Sequence, residues 1–170
     1  GKNPICVVID EWHAHKTSSV KDVMESAQGT WEAPMLLTIT TAGFNKEGPC
    51  YKVDRPNAFS VLRGDFRQDN LFAMIFCHDT DDADGILNLD PDVEEDAKQI
   101  LKLAKKSNPN LGSTPTEQFI LNRVRQARNK GRSTRVDVLT KNFNCLVDAP
   151  TSWIPEDDIK VVMRPLNMED

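Results

Sequence analysis

Residues 5–15 read ICVVIDEWHAH, an apolar run from Ile5 to Ile9 that ends abruptly on Asp10 and Glu11, with His13 and His15 close behind. A continuous β-branched run of this kind is the pattern of a strand covered on both faces in a parallel sheet. Carboxylates at the carboxyl end of such a strand stand in the crevice where open α/β sheets bind ligands. In nucleotide hydrolysis two such acids divide the labour. The first holds a magnesium ion, directly or through water, and the second orients and deprotonates the attacking water. The alternative is a solvated strand end.

Two similar runs follow, MLLTIT (35–40) and LFAMIFC (71–77). Between the first pair, SSVKDVMESAQG offers Ser18 or Ser19 as a helix cap, Val20, Val23 and Ala27 on one face, and Gly29 as the stop. Between the second pair, YKVDRPNAFSVLRG offers Ala58, Val61 and Leu62 on one face, Pro56 near the start and Gly64 as the stop. Strands alternating with single short helices predict a parallel βαβαβ unit over residues 1–78. The second strand runs out into TITTAG, so Thr40, Thr41 and Gly43 end beside Asp10 and Glu11. Small hydroxyl residues there can hydrogen-bond a terminal phosphate or its attacking water, although Thr is also simply a good strand former.

The acid-rich HDTDDADGILNLD (78–90) reads as an exposed linker, and beyond it the pattern is helical. Val93, Ala97, Ile100, Leu101 and Ala104 keep a 3.6 period that should stop before SNPNLG. TPTE then predicts a capping box, with Thr114 as cap, Pro115 first in the helix and Glu117 reaching back, ahead of Ile120, Val124 and Ala127. A third helix sets Val136, Leu139, Phe143 and Leu146 on one face. Residues 79–150 are thus a small helical subdomain, and 151–170, with Trp153 and Ile154, a connector.

The composition is that of an ordinary soluble globular domain, 170 residues with 39% apolar content and a formal charge of −5. That charge excludes a surface coated throughout by nucleic acid, but not a local basic face. Such a face is suggested by Arg123, Arg125, Arg128, Lys130, Arg132 and Arg135, a stretch without one acid. It could contact phosphate, of DNA or of a neighbouring subunit's nucleotide, or be a solvated helix surface. Four scattered cysteines without C-x-x-C predict buried, reduced thiols. No apolar run approaches the ~18 residues of a membrane span. His13 and His15 beside two carboxylates admit a zinc or iron site, but polar loop histidines near a nucleotide fit better, because no third and fourth protein ligand is in evidence.

VVIDEWHAHK resembles the Walker-B segment of the large terminase subunit of tailed bacteriophages, and LLTITTAGF resembles that family's coupling motif. The resemblance continues through LFAMIFCHDTDD, KSNPNLG, NRVRQARN, KNFNCLV and SWIP. It implies an ASCE-type P-loop ATPase core, a helical linker or lid subdomain, and a separate nuclease domain in the full protein. It further implies that Asp10 serves magnesium with ATP, Glu11 is the catalytic base, and Thr40 with Thr41 couples hydrolysis to movement. Gly43 would turn the backbone away at once. The implied partners are double-stranded DNA, ATP, the portal protein, the small terminase subunit and further copies in a motor, in the cytoplasm of a bacterial host. No G-x-x-x-x-G-K-[ST] occurs in the sequence and no nuclease carboxylate cluster can be assigned. The chain is therefore expected to be the middle of a longer protein, inactive toward ATP by itself and prone to self-association through an uncovered strand edge. A DExH-type helicase fragment fits DEWH as an alternative, and a non-catalytic module that binds portal or a partner subunit is another.

Overall fold

The computed structural model describes residues 3–43, 45–78 and 80–147, with only the backbone of 80–82 and 84. The readings of Trp153, Ile154 and the connector lie outside the described residues. The described residues are mixed α/β and form a two-stranded parallel sheet and six α-helices. Strand β1 (Cys6–Ile9) pairs with β2 (Met35–Thr38) in the register Cys6↔Met35 to Ile9↔Thr38. Helix α1 (Ser19–Ala27) makes the crossover between them. Amide to carbonyl bonds from Ile39 to Ile9 (2.8 Å) and from Trp12 to Ile39 (3.1 Å) carry the pairing past the ends of the ladder, so the loops after both strands stay together.

One sheet face carries Val7 and Ile9, buried with Trp12 and Cys50 and backed by Leu36. The opposite face leaves Cys6, Val8, Met35 and Leu37 exposed. Cys6 is thus an exposed thiol, and Cys77 is half-buried, so only Cys50 and Cys145 match the expectation of buried cysteines. Helix α1 also differs from expectation, because Val20 and Val23 are exposed and none of its residues is buried. Its anchorage is polar. The buried side chain of Gln28 donates to the carbonyls of Ile5 (3.1 Å) and Met35 (2.9 Å), tying the end of the helix to the starts of both strands.

A π-helical turn (Cys50–Asp54) leads into α2 (Arg55–Arg63), which has Pro56 in its first turn and stops at Gly64 in the left-handed region (φ 78°). The third run, 71–77, is not a ladder strand. Its burial alternates along the chain, with Phe72, Met74 and Phe76 exposed, as in a strand whose partner is missing from the described residues. Among the described residues, an isolated parallel bridge, His78 to Cys145, pairs this region. The predicted βαβαβ unit is therefore realised as βαβ plus an extended segment. The strand pattern was local, whereas pairing depends on a neighbour.

Residues expected to form an exposed linker instead make α3 (Thr80–Asn88), which buries Ala83, Ile86 and Leu87. Their i, i+3, i+4 spacing gives the helix an apolar stripe despite its acids. They join α4 (Glu94–Ala104), α5 (Glu117–Asn129) and α6 (Arg132–Phe143) in one core around Ile100, Ala104, Ile120, Val124, Ala127, Val138, Leu139 and Phe143. The cap of α5 is Thr116, whose side chain accepts from the amide of Phe119 (3.2 Å), so the predicted box on Thr114 is shifted by two residues. Thr116 is the residue with the extended backbone an N-cap requires. Among the described residues no helix is long and apolar enough to cross a membrane.

Candidate functional site

The site forms where the two parallel strands release their chains. Asp10 leaves β1 exposed, and its Oδ1 accepts the amide N–H of Glu11 at 2.8 Å. Glu11 then takes a left-handed conformation (φ 49°, ψ 44°), which is costly for a residue with a side chain. The turn swings Trp12 into the core, where it is 1% exposed, while the Glu11 side chain remains 58% exposed. Both acids therefore face solvent on a rigid support.

Trp12 is the anchor of that support. Its indole N–H donates to Asp54 Oδ2 (2.6 Å), and Lys21 Nζ bonds the other oxygen (2.7 Å) while lying 5.6 Å from the indole ring centroid. The strand end, the crossover helix and the π-helical turn are thereby joined at one carboxylate. His15 packs its ring on Trp12, with centroids 4.9 Å apart, and its carbonyl accepts from Asn45 Nδ2 (3.3 Å).

His13 turns back across the gap to the second strand. Thr40 Oγ1 accepts the backbone N–H of His13 (3.0 Å) and lies 3.0 Å from His13 Nδ1, which is also 3.2 Å from Glu11 Oε2. Burial lowers the His13 pKa and outweighs the opposing pull of Glu11, with Lys141 also acting to lower it. Gly43, buried and at φ +62°, is the floor beneath the ring: a Cβ on it would stand 2.0 Å from His13 Cδ2. Thr41 takes part through its carbonyl, which accepts the Thr40 hydroxyl (2.9 Å). The structure thus places Asp10, Glu11, His13, Thr40, Thr41 and Gly43 together, and sets His15 one layer back against Trp12.

Among the described residues, no three or more His, Cys, Asp or Glu side chains are gathered to hold a metal ion. The donor chemistry of Asp10 nevertheless suits magnesium, a hard cation that protein sites hold through one or two carboxylates, waters and substrate phosphates.

The helical part reaches this site through Asn144, a residue sequence reasoning did not single out. It ends α6 in a left-handed conformation (φ 49°), accepts the amide of Ala42 on Oδ1 (3.3 Å) and donates from Nδ2 to the carbonyl of Phe76 (2.9 Å). Asn is among the few side chains that tolerate this geometry, so an Asn just past a helical period was the available signal. Tyr51 donates its hydroxyl to the Ala42 carbonyl from the other side, and burial pushes its pKa up to about 12.

The basic stretch does not act as one patch. Arg123 pairs with Asp137 (2.5 Å), Arg125 with Asp92 (2.5 Å) and Arg128 with Asp90 (3.3 Å), the last also donating to the Leu89 carbonyl. These ion pairs tie α5 to α6 and to the turn before α4. Lys130, Arg132 and Arg135 are exposed and form no ion pair among the described residues.

No protein-family model matches the chain. It is 33% identical over 153 residues to Protein YmfN of Escherichia coli (strain K12), a match that takes in 90% of this chain and 30% of that protein. In three dimensions it is similar to the crystal structure of the HK97 bacteriophage large terminase, with a TM-score of 0.58 and 18% identity over 85% of this chain and 26% of that one. The chain spans less than a third of the length of either relative, and its fold is terminase-like.

Proposed function

We propose that this chain is the hydrolytic-carboxylate half of the ATPase core of a phage large terminase, with the adjoining helical subdomain, in a motor that packages double-stranded DNA. The observation that carries this reading is the juxtaposition of Asp10 and Glu11, just past the end of β1, with Thr40, just past the end of the neighbouring parallel strand β2, in a chain whose fold is terminase-like. Asp10 would hold magnesium, directly or through its water, and the ion would neutralise charge on the ATP phosphates. Glu11, exposed at the strand end, would orient and deprotonate the attacking water. Thr40 and Thr41 would register the phosphate and pass its loss to Ala42, and so through Asn144 to α6.

The portal protein, the small terminase subunit and further copies of the chain would be its partners in the cytoplasm of a bacterial host. Lys130 and Arg132 would supply phosphate contacts, since Arg123, Arg125 and Arg128 are engaged by acids. Neutralising those two should flatten the salt dependence of DNA binding, and an unchanged salt slope would count against the contact. Residues 80–143 form four helices, so they are not the several-stranded second RecA-like domain that the helicase alternative would ask of them.

The test is magnesium-dependent ATP turnover by the full-length protein. Glu11→Gln should abolish turnover while leaving ATP binding intact. Turnover at the wild-type rate in that variant would refute the reading.

A further inference from the structure

Glu11 is exposed and sits on a single turn, yet a water-activating carboxylate must be held to within a fraction of an ångström. The His13 ring stands beside it, Nδ1 3.2 Å from Oε2, and is held by Thr40 just past the end of the second strand. Thr40 Oγ1 has one proton, and its acceptors are the Thr41 carbonyl at 2.9 Å and the Cys50 sulfur. Toward His13 the hydroxyl can therefore only accept, from the backbone N–H and from the ring, both at 3.0 Å. The ring nitrogen facing it must carry hydrogen. Nδ1 of His13 accordingly carries hydrogen, shared between Thr40 Oγ1 and Glu11 Oε2 at 3.2 Å. The Gly43 floor leaves the ring no room to withdraw toward the second strand end.

We propose that His13 is a positioning residue for Glu11, a bridge through which the end of the second strand sets the orientation of the carboxylate. The proposal rests on Glu11 being the water-activating carboxylate. When Thr40 shifts with the state of the phosphate, the ring shifts with it, and Glu11 gains or loses its donor. Hydrolytic competence then follows the placement of Thr40, which nearness to the nucleotide by itself would not accomplish.

The side-chain amide of Asn can put an N–H close to where His Nδ1 stands, whereas that of Gln reaches the position of Nε2. In the full-length protein His13→Ala and His13→Gln should lower kcat for ATP by about 10- to 100-fold with KM little changed, and His13→Asn should recover most of it. Without nucleotide, 15N spectra of the His13 ring should show hydrogen on Nδ1, and Glu11→Gln should shift that Nδ1 resonance. Equal kcat in His13→Asn and His13→Gln, a wild-type kcat in His13→Ala, or hydrogen on Nε2 alone overturns the proposal. If Glu11→Gln itself hydrolyses ATP normally, the assignment of Glu11 fails and the proposal falls with it. If Glu11→Gln is inactive while all three His13 variants turn over normally, the proposal alone is wrong.

Discussion

Replacing Gly43 by alanine tests how tightly the site is built, because two separate costs can be worked out for it. The backbone there is left-handed (φ +62°), which costs a residue with a Cβ about 1–2 kcal/mol. The new methyl would also stand 2.0 Å from His13 Cδ2 and 2.4 Å from Cγ, far inside the ~3.5–4.0 Å of an ordinary carbon contact. Forcing a buried ring aside adds about 1–3 kcal/mol. The sum is ~2–5 kcal/mol, or a fall in melting temperature of about 4–20 °C at this chain length. Gly64 supplies the control, since it is also left-handed (φ +78°) but has nothing within 4 Å of its Cβ position. Gly64→Ala should therefore pay only the backbone cost. Removing the ring as well, in His13→Ala/Gly43→Ala, should relieve the overlap, so the double variant should lose less stability than the sum of the singles. Thermal unfolding of Gly43→Ala, Gly64→Ala, His13→Ala and the double variant measures this. Gly43→Ala no worse than Gly64→Ala, with strictly additive behaviour in the double variant, would refute the account of Gly43 as the floor under His13.

Asn144 and Asp137 give two further tests. Asn144→Ala removes hydrogen bonds to Ala42 and Phe76 and forces alanine into a left-handed cap, so it should cost about 2–4 kcal/mol, whereas Asn144→Gly keeps the backbone and should lose only the bonds, about 1–2 kcal/mol. Chemical denaturation compares them, and equal losses would contradict the geometric part of the argument. The hydrogen bond from Lys141, and then that from Arg123, holds the Asp137 carboxyl below its usual pKa. A depressed folded pKa stabilises above the unfolded value and is lost as pH falls through the folded one. Because the pair is partly exposed, Asp137→Asn should cost only about 0.5–1 kcal/mol at neutral pH, and the gap should close in acid below the ordinary aspartate range. A gap that persists unchanged under those acid conditions would rule out this origin.

Local pattern was enough to place β1, β2, α4 and the apolar face of α5, because each is read from residues a few positions apart, whereas on α6 the stripe is met at Leu139 and Phe143, Val138 is buried where Val136 was expected, and Leu146 lies past the helix end. It failed where a partner decides. The run 71–77 has the alternation of a strand but no ladder neighbour among the described residues, and the apolar stripe of α1 meets nothing there that covers it. Helix α3 was a different failure, since Ala83, Ile86 and Leu87 carried the signal and the surrounding acids drew the reading toward a loop. At the site, the acids and threonines were legible because strand ends in a parallel sheet converge. What the sequence could not express was that the left-handed turn at Glu11 folds His13 back onto Thr40 with Glu11 beside it, or that Gly43 is small for the sake of an imidazole thirty residues earlier. The basic stretch was legible as charge but not as ion pairing, because its acid partners, Asp90, Asp92 and Asp137, lie outside the segment that carries it.

The most direct measurement is a structure of the full-length protein with magnesium and a non-hydrolysable ATP analogue. The account predicts Asp10 at the ion or its water, Glu11 Oε within reach of a water in line with the terminal phosphate, and Thr40 at the phosphate side of the site. Nucleotide bound elsewhere, with Asp10 and Glu11 open to bulk solvent, would contradict it.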